Sequence, residues 1–431
     1  MITDPKGPLV IRQDTVLEPG GYLLPEGIII DGDGITLDGN GALLVGSGRQ
    51  GRGVTVLNRT GVTIKNLRVR DYYHGLFASG CKGLTIANCQ VTSTAEVPAN
   101  TIFLDIWKPA SEAYGGGILL ADCLGCLVEG NDLQHQMAGL LSYGCHGLAV
   151  RGNNASFCSG WGFHIYQTSD SLYEDNYADY CCRYEPRGPR TGHMGADAAG
   201  FLIIHASCRN RFIRNLARQG GDGFFLAGLS PRWDKVPCND NRFEENDGSY
   251  SPNIAFEATF SAGNVYINNY ANHCNYGFWL GFSRDGILEG NQVNENVRAG
   301  IATENGFNFQ VRGNAFEKND HGVLLWSKYI PEFAAAVPEN DTSRDWQVEG
   351  NTFLGNHKGI RIAANQDHGV RPYRVPEGQD PQQWLRPHDH IIRKNSFRDN
   401  RIAIEALNCG RTVLEENMFE HNVEADTILT S

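Results

Sequence analysis

At 431 residues the chain is longer than one hydrophobic core usually serves, so it either splits into domains or stacks repeated units that pack on their neighbours. It carries 51 glycines and few helix-favouring runs, which argues against a helical protein, and no apolar run is long enough to span a bilayer. A formal charge of −12 excludes the basic stripe that nucleic acid selects and, more weakly, disfavours a strongly anionic polymer.

The opening MITDPKGPLVIRQD lacks the basic flank and apolar core of a secretory signal, so the expectation is a cytoplasmic protein. Residues 1–34 alternate apolar and turn residues and are predicted to cap the strand edges of the first coil. From residue 35 to 425 a short unit repeats: Gly, apolar, any residue, apolar, then a polar corner, a second strand ending in Asn, and a turn. Asn269, Asn291 and Asn314 lie 22 and 23 residues apart, a period that signals stacked coils. The same slot is assigned to Asn66, Asn88, Asn131, Asn153, Asn176, Asn215, Asn246, Asn351, Asn395 and Asn417, and with Asn40 the count is about fourteen coils. Asn at a bend bonds nearby backbone and tolerates left-handed conformations, so these residues are expected in one stacked line. A tail, 426–431, ends the chain.

This unit resembles the right-handed parallel β-helix repeat of the pectate-lyase-like superfamily, over roughly residues 35–425. The resemblance implies an all-β solenoid of about fourteen coils and a carbohydrate substrate. The superfamily includes lyases, glycoside hydrolases, uronate epimerases, tailspikes and non-enzymatic proteins. Neither the NTD, DD, GHG and RIK set of polygalacturonases nor a DPHD-type epimerase motif is present. No cofactor, membrane or nucleic-acid partner is expected, and no signal for an oligomeric state is visible.

Five insertions interrupt the period. Residues 97–116 and 183–199 precede the glycine-led strand, and 229–239, 327–345 and 364–389 follow it, so all flank one strand column. Insertions on a repeat scaffold tend to gather on a binding face, here predicted as the walls of a trough. Twelve cysteines suggest a disulfide or metal framework until they are placed on the repeat. Cys81, Cys145 and Cys208 fall at the corner after the first strand, and Cys158 and Cys274 in the turn before it. Cys181 and Cys182 are adjacent, and Cys123 and Cys126 have no second pair at zinc spacing. Buried free thiols in a reducing compartment are expected, and no metal site. His368 and the His388-Asp389-His390 triplet read as loop residues.

Strand alternation gives the trough floor. Its outward residues are read as Leu141 and Tyr143, His164 and Tyr166, Leu202 and Ile204, Phe225 and Ala227, Ala255 and Glu257. Trp279 and Gly281, Ala302 and Glu304, Leu324 and Trp326, and Arg361 and Ala363 complete the row. Tyr143, Tyr166, Phe225, Trp279 and Trp326 are expected to stack on sugars, with Arg361 as a further contact. Glu257 and Glu304 are placed in one column two coils apart, on the order of 9–10 Å between α-carbons, with open space over Gly281. Two carboxyl groups with room for a water are what an inverting glycosidase needs, and Trp279 offers an apolar wall to raise one Glu pKa. The alternative is a lyase or C5-epimerase, in which Arg183, Arg187, Arg190, His193 and Asp197 bind a uronate beside His164 and Tyr166. A third reading is a non-catalytic carbohydrate-binding solenoid.

Overall fold

The computed structural model describes residues 7–98, 103–183, 198–364 and 386–430, Gly378, and the backbone of 2–3, 184–186 and 192–194. Two compact units, Met1–Phe224 and Phe225–Ser431, organise it. Among the described residues, helix is limited to one turn at Ala110–Glu112 and to Pro331–Ala336.

In the first unit the glycine-led strands form one parallel sheet, which includes Arg52–Leu57, His74–Ser79, Gly116–Ala121, Ala138–Tyr143, Trp161–Tyr166 and Ala199–Ile204. A second parallel sheet includes Thr63–Lys65, Thr85–Ala87, Leu127–Glu129, Ala149–Arg151, Leu172–Glu174 and Arg211–Ile213. A third runs from Gly21–Leu23 through Leu43–Val45 and Arg68–Arg70 to Gln90–Thr92, and single bridges continue it through Asp132, Asn154, Tyr177 and Leu216. Each coil therefore contributes three strand positions, and within each of these sheets neighbouring strands pair in parallel, coil to coil.

The glycine that opens the unit is there because of the next coil. A Cβ on Gly139 would lie 2.6 Å from the Gly162 carbonyl oxygen and 2.5 Å from Ala155 Cβ. The apolar positions that follow build the core by stacking like on like. Phe163, Phe201 and Phe224 stack at 4.6 and 4.9 Å, and Tyr173 on Phe212 at 5.1 Å.

The asparagine line holds from Asn131 onward in this unit. Asn153 Nδ2 donates to the Val128 carbonyl at 2.9 Å, and its backbone N–H donates to Asn176 Oδ1 at 3.0 Å. Asn66 and Asn88 are corrections to the expected alignment. They sit one residue earlier, in left-handed conformation with φ of 56° and 53°, where later coils carry Gly130 and Gly152. Cys89 takes the ladder slot instead, its N–H bonded to Asn131 Oδ1 at 2.9 Å. The bend makes two adjacent demands, a left-handed residue and a ladder acceptor, and Asn satisfies either.

In the second unit the glycine-led sheet includes Ile254–Thr259, Tyr276–Trp279, Ala299–Glu304, His321–Ser327, Lys358–Ala364 and Ile402–Leu407. The asparagine line runs through Asn246, Asn269, Asn291, Asn314, Asn351, Asn395 and Asn417. A second line, not read from the sequence, lies five residues later at Asn296, Asn319, Asn356, Asn400 and Asn422. Cys274 heads it, its N–H bonded to Asn296 Oδ1 at 3.0 Å.

All twelve cysteines are free thiols and all but Cys182 and Cys208 are buried. Cys208 departs from the expected corner slot. Ser207 fills it, its hydroxyl accepting the Thr168 N–H at 3.1 Å. His390 is also not a loop residue: it opens the strand His390–Arg393 and is fully buried. His368 lies outside the described residues.

Candidate functional site

On the first unit, the outward face of the glycine-led sheet is covered rather than open. Tyr143, His164 and Tyr166 are all buried, as are Leu141, Leu202 and Ile204. The insertion at 97–116 supplies the cover, because Leu104, Ile106 and Tyr114 are apolar and pack down on the sheet. His164 Nε2 lies 3.4 Å from the Ile106 carbonyl, and His74 Nε2 lies 3.0 Å from that of Tyr114. Tyr143 packs 5.1 Å from both His164 and Tyr166. Exposed stacking aromatics on this unit are therefore corrected to a second apolar layer. Burial pushes the His164 pKa down to about 4, and its Nδ1 has no hydrogen-bond partner among the described residues. Arg183 is also buried and donates from Nη2 to the Pro98 carbonyl at 3.2 Å. Arg187, Arg190, Asp197 and the His193 side chain lie outside the described residues.

On the second unit the register decides which side chains meet. Glu257 pairs with Trp279, and the same row continues through Ala302, Leu324, Arg361 and Glu405. Glu304 belongs to a different row, pairing with Trp326. The expected shared column of Glu257 and Glu304 is thus corrected to a diagonal, two rungs and two residues apart. From strand spacing and rise, that diagonal is about 12 Å between α-carbons. The slip has a local cause: Ala255 occupies the slot that Gly277 and Gly300 hold in the next coils, so the motif there lacks its glycine.

Nor is there open space over Gly281. It is buried, and a Cβ placed there would lie 3.2 Å from Trp279 Nε1. Trp279 meets Tyr276 edge-on at 4.9 Å and Trp326 at 5.5 Å, over a patch of Ala299, Ala302 and Leu324. Trp326 and Glu304 are almost fully buried, whereas Glu257, Trp279 and Phe225 are half-buried. The Trp326 indole N–H is buried with no hydrogen-bond acceptor among the described residues. Arg361 is tied to its own row: its Nη1 lies 2.5 Å from Glu405 Oε2, which also takes Lys358 Nζ at 2.6 Å. Sequence reasoning missed Lys358 and Glu405, although carrying the row one coil further would have reached Glu405. It also missed an aromatic corner, where Phe333 lies 5.1 Å from Phe260 and 4.9 Å from Phe282, with Trp233 at 5.6 Å. Among the described residues no cluster of three or more His, Cys, Asp or Glu is arranged to hold a metal. No helix among them is long and apolar enough to cross a membrane.

A family model described as a right-handed β-helix region matches residues 100–255 and 235–371. The chain belongs to this β-helix family. The β-helix is also similar to the A-module of Azotobacter vinelandii mannuronan C-5 epimerase AlgE6, with 13% identity, a TM-score of 0.43, and 82% and 87% of the two chains covered. Similarity to the periplasmic alginate epimerase AlgG covers 94% of this chain and 79% of the other at 12% identity and a TM-score of 0.42. For DFA-IIIase from Arthrobacter chlorophenolicus A6 the figures are 61%, 67%, 12% and 0.40. These likenesses concern fold alone. No curated protein sequence matches the β-helix.

Proposed function

We propose that this β-helix acts on a carbohydrate and hydrolyses a glycosidic bond, with Glu257 and Glu304 as its two carboxyl groups. The observation that carries the reading is the Glu257–Trp279 pair. A carboxylate and an indole sit on directly paired rungs, both half-exposed, and Tyr276 and Trp326 hold the indole in place. Aromatic planes suit the C–H faces of sugar rings, and a carboxylate beside one is positioned to act on a bound glycoside. Glu257, reached by solvent, takes the role of base that activates water. Glu304, buried beside the paired rung of Trp326, takes the role of acid. The diagonal between them favours the wider carboxyl spacing of inverting enzymes over the ~5–5.5 Å of retaining ones. The 97–116 insertion lies over His164, whose Nε2 faces the Ile106 carbonyl, and this cover weighs against the lyase or epimerase reading.

Reducing-end release from a panel of neutral and acidic polysaccharides tests the proposal with the parent protein, Glu257→Gln and Glu304→Gln. The parent should release sugar, and each variant should lose roughly 10²–10⁴-fold in rate while keeping its circular dichroism spectrum. Binding without release by the parent would make the protein a non-catalytic carbohydrate binder. An unsaturated, ultraviolet-absorbing product would move the chemistry to elimination.

A further inference from the structure

A cavity of about 320 Å³ opens on the first unit, and none of its lining residues belongs to the proposed hydrolytic site. Gln50, Arg52, Tyr73, His74, Phe77 and Glu112 are among its lining residues. Nothing in the repeat motif marks it. Arg52 and His74 are register partners on neighbouring strands of the glycine-led sheet, and the 97–116 insertion brings Glu112 to the cavity wall.

Arg52 is the one Arg or Lys side chain among the lining residues. Its guanidinium lies over the Phe77 ring, 3.4 Å from the centroid. Elsewhere in the same unit Arg59, Arg151, Arg209, Arg214 and Arg218 each face a carboxylate, whereas Arg49, Arg68 and Arg211 form no ion pair among the described residues. Arg52 makes no such pair among the described residues, in a chain with 49 acidic and 37 basic side chains. Stacking on the ring leaves its N–H groups at the edge of the guanidinium plane, the fork that matches a carboxylate.

The other walls offer acceptors. His74 Nε2 faces the Tyr114 carbonyl at 3.0 Å and so carries the ring proton, which leaves Nδ1 with a lone pair. The Tyr73 hydroxyl donates to the Ala113 carbonyl at 3.0 Å and keeps its oxygen lone pairs. Glu112 contributes a carboxylate. One cationic fork and several acceptors complement a ligand with one carboxylate and several hydroxyl donors.

We propose that this cavity binds a sugar acid, with Arg52 clamping its carboxylate and Glu112, His74 and Tyr73 receiving its hydroxyls. A neutral sugar would leave Arg52 unengaged. A phosphate dianion would carry more charge toward Glu112 and offer fewer donors. The site does not depend on Glu257 and Glu304, so it stands or falls separately from the hydrolytic reading.

Isothermal titration of the full chain with D-glucuronate, D-glucose and inorganic phosphate tests it, with Arg52→Gln and Glu112→Gln alongside the parent. Glucuronate should bind saturably, and glucose and phosphate at least about tenfold more weakly, the scale of one charge-assisted hydrogen bond. Arg52→Gln should weaken glucuronate by at least about tenfold at unchanged melting temperature, since Arg52 is exposed and its charge unpaired. Glu112→Gln should narrow the margin against phosphate. Equal binding of glucose or of phosphate, parent-like binding by Arg52→Gln, or no saturable binding of glucuronate would each overturn the proposal.

Discussion

His74, His164 and His390 are buried, and none of the three imidazoles hydrogen-bonds a carboxylate among the described residues. Desolvation pushes the pKa of His74 and of His164 down to about 4 and that of His390 to about 3. Folded-state values below the ordinary one mean that the unfolded chain takes up protons the folded chain refuses. Stability is therefore full above about pH 6.5 and falls as pH drops toward about 4, by up to about 1.4 kcal/mol per pH unit for each histidine. Melting temperature should decline steadily from pH 6.5 to 4.5, before most carboxylates titrate. His390→Phe should lessen that decline if the variant folds at neutral pH. A melting temperature flat across this window would show that these imidazoles are not held neutral by burial.

Among the elements, the glycine-led strand is constrained most tightly by its neighbour on the next coil. Gly139→Ala should cost about 1–3 kcal/mol, because its Cβ would run into the Gly162 carbonyl and Ala155. Gly21→Ala is the matched control, with nothing within 4 Å of an added Cβ and an expected effect within about 0.5 kcal/mol. Denaturant midpoints compare the two, and equal losses would mean that glycine is not required by close approach. This constraint also explains what was legible in the sequence. The repeat of glycine and stacked Phe, with Asn closing the second strand, sets columns that hold from Asn131 to Asn215 in the first unit and from Asn246 to Asn417 in the second. It misled where one residue type serves two adjacent slots, as with Asn66 and Asn88, or where Ala255 replaces the glycine and shifts Glu257 against Trp279. The second asparagine line escaped notice because Cys274 occupies its first slot.

For the whole molecule, the repeat says which residues point outward but not what covers them. Tyr143, His164 and Tyr166 were legible as outward-facing. Their burial depends on Ile106 and Tyr114, which the period does not place. On the second unit, Trp279 and Glu257 keep a share of solvent, and the proposed chemistry sits there. A crystal of Glu257→Gln soaked with an oligosaccharide that the parent protein cleaves is the most direct test. Density should show a sugar ring against Trp279, with the bridging oxygen flanked by residue 257 and Glu304. A sugar bound elsewhere on the protein, with Trp279 and residue 257 uncontacted, would contradict the assignment.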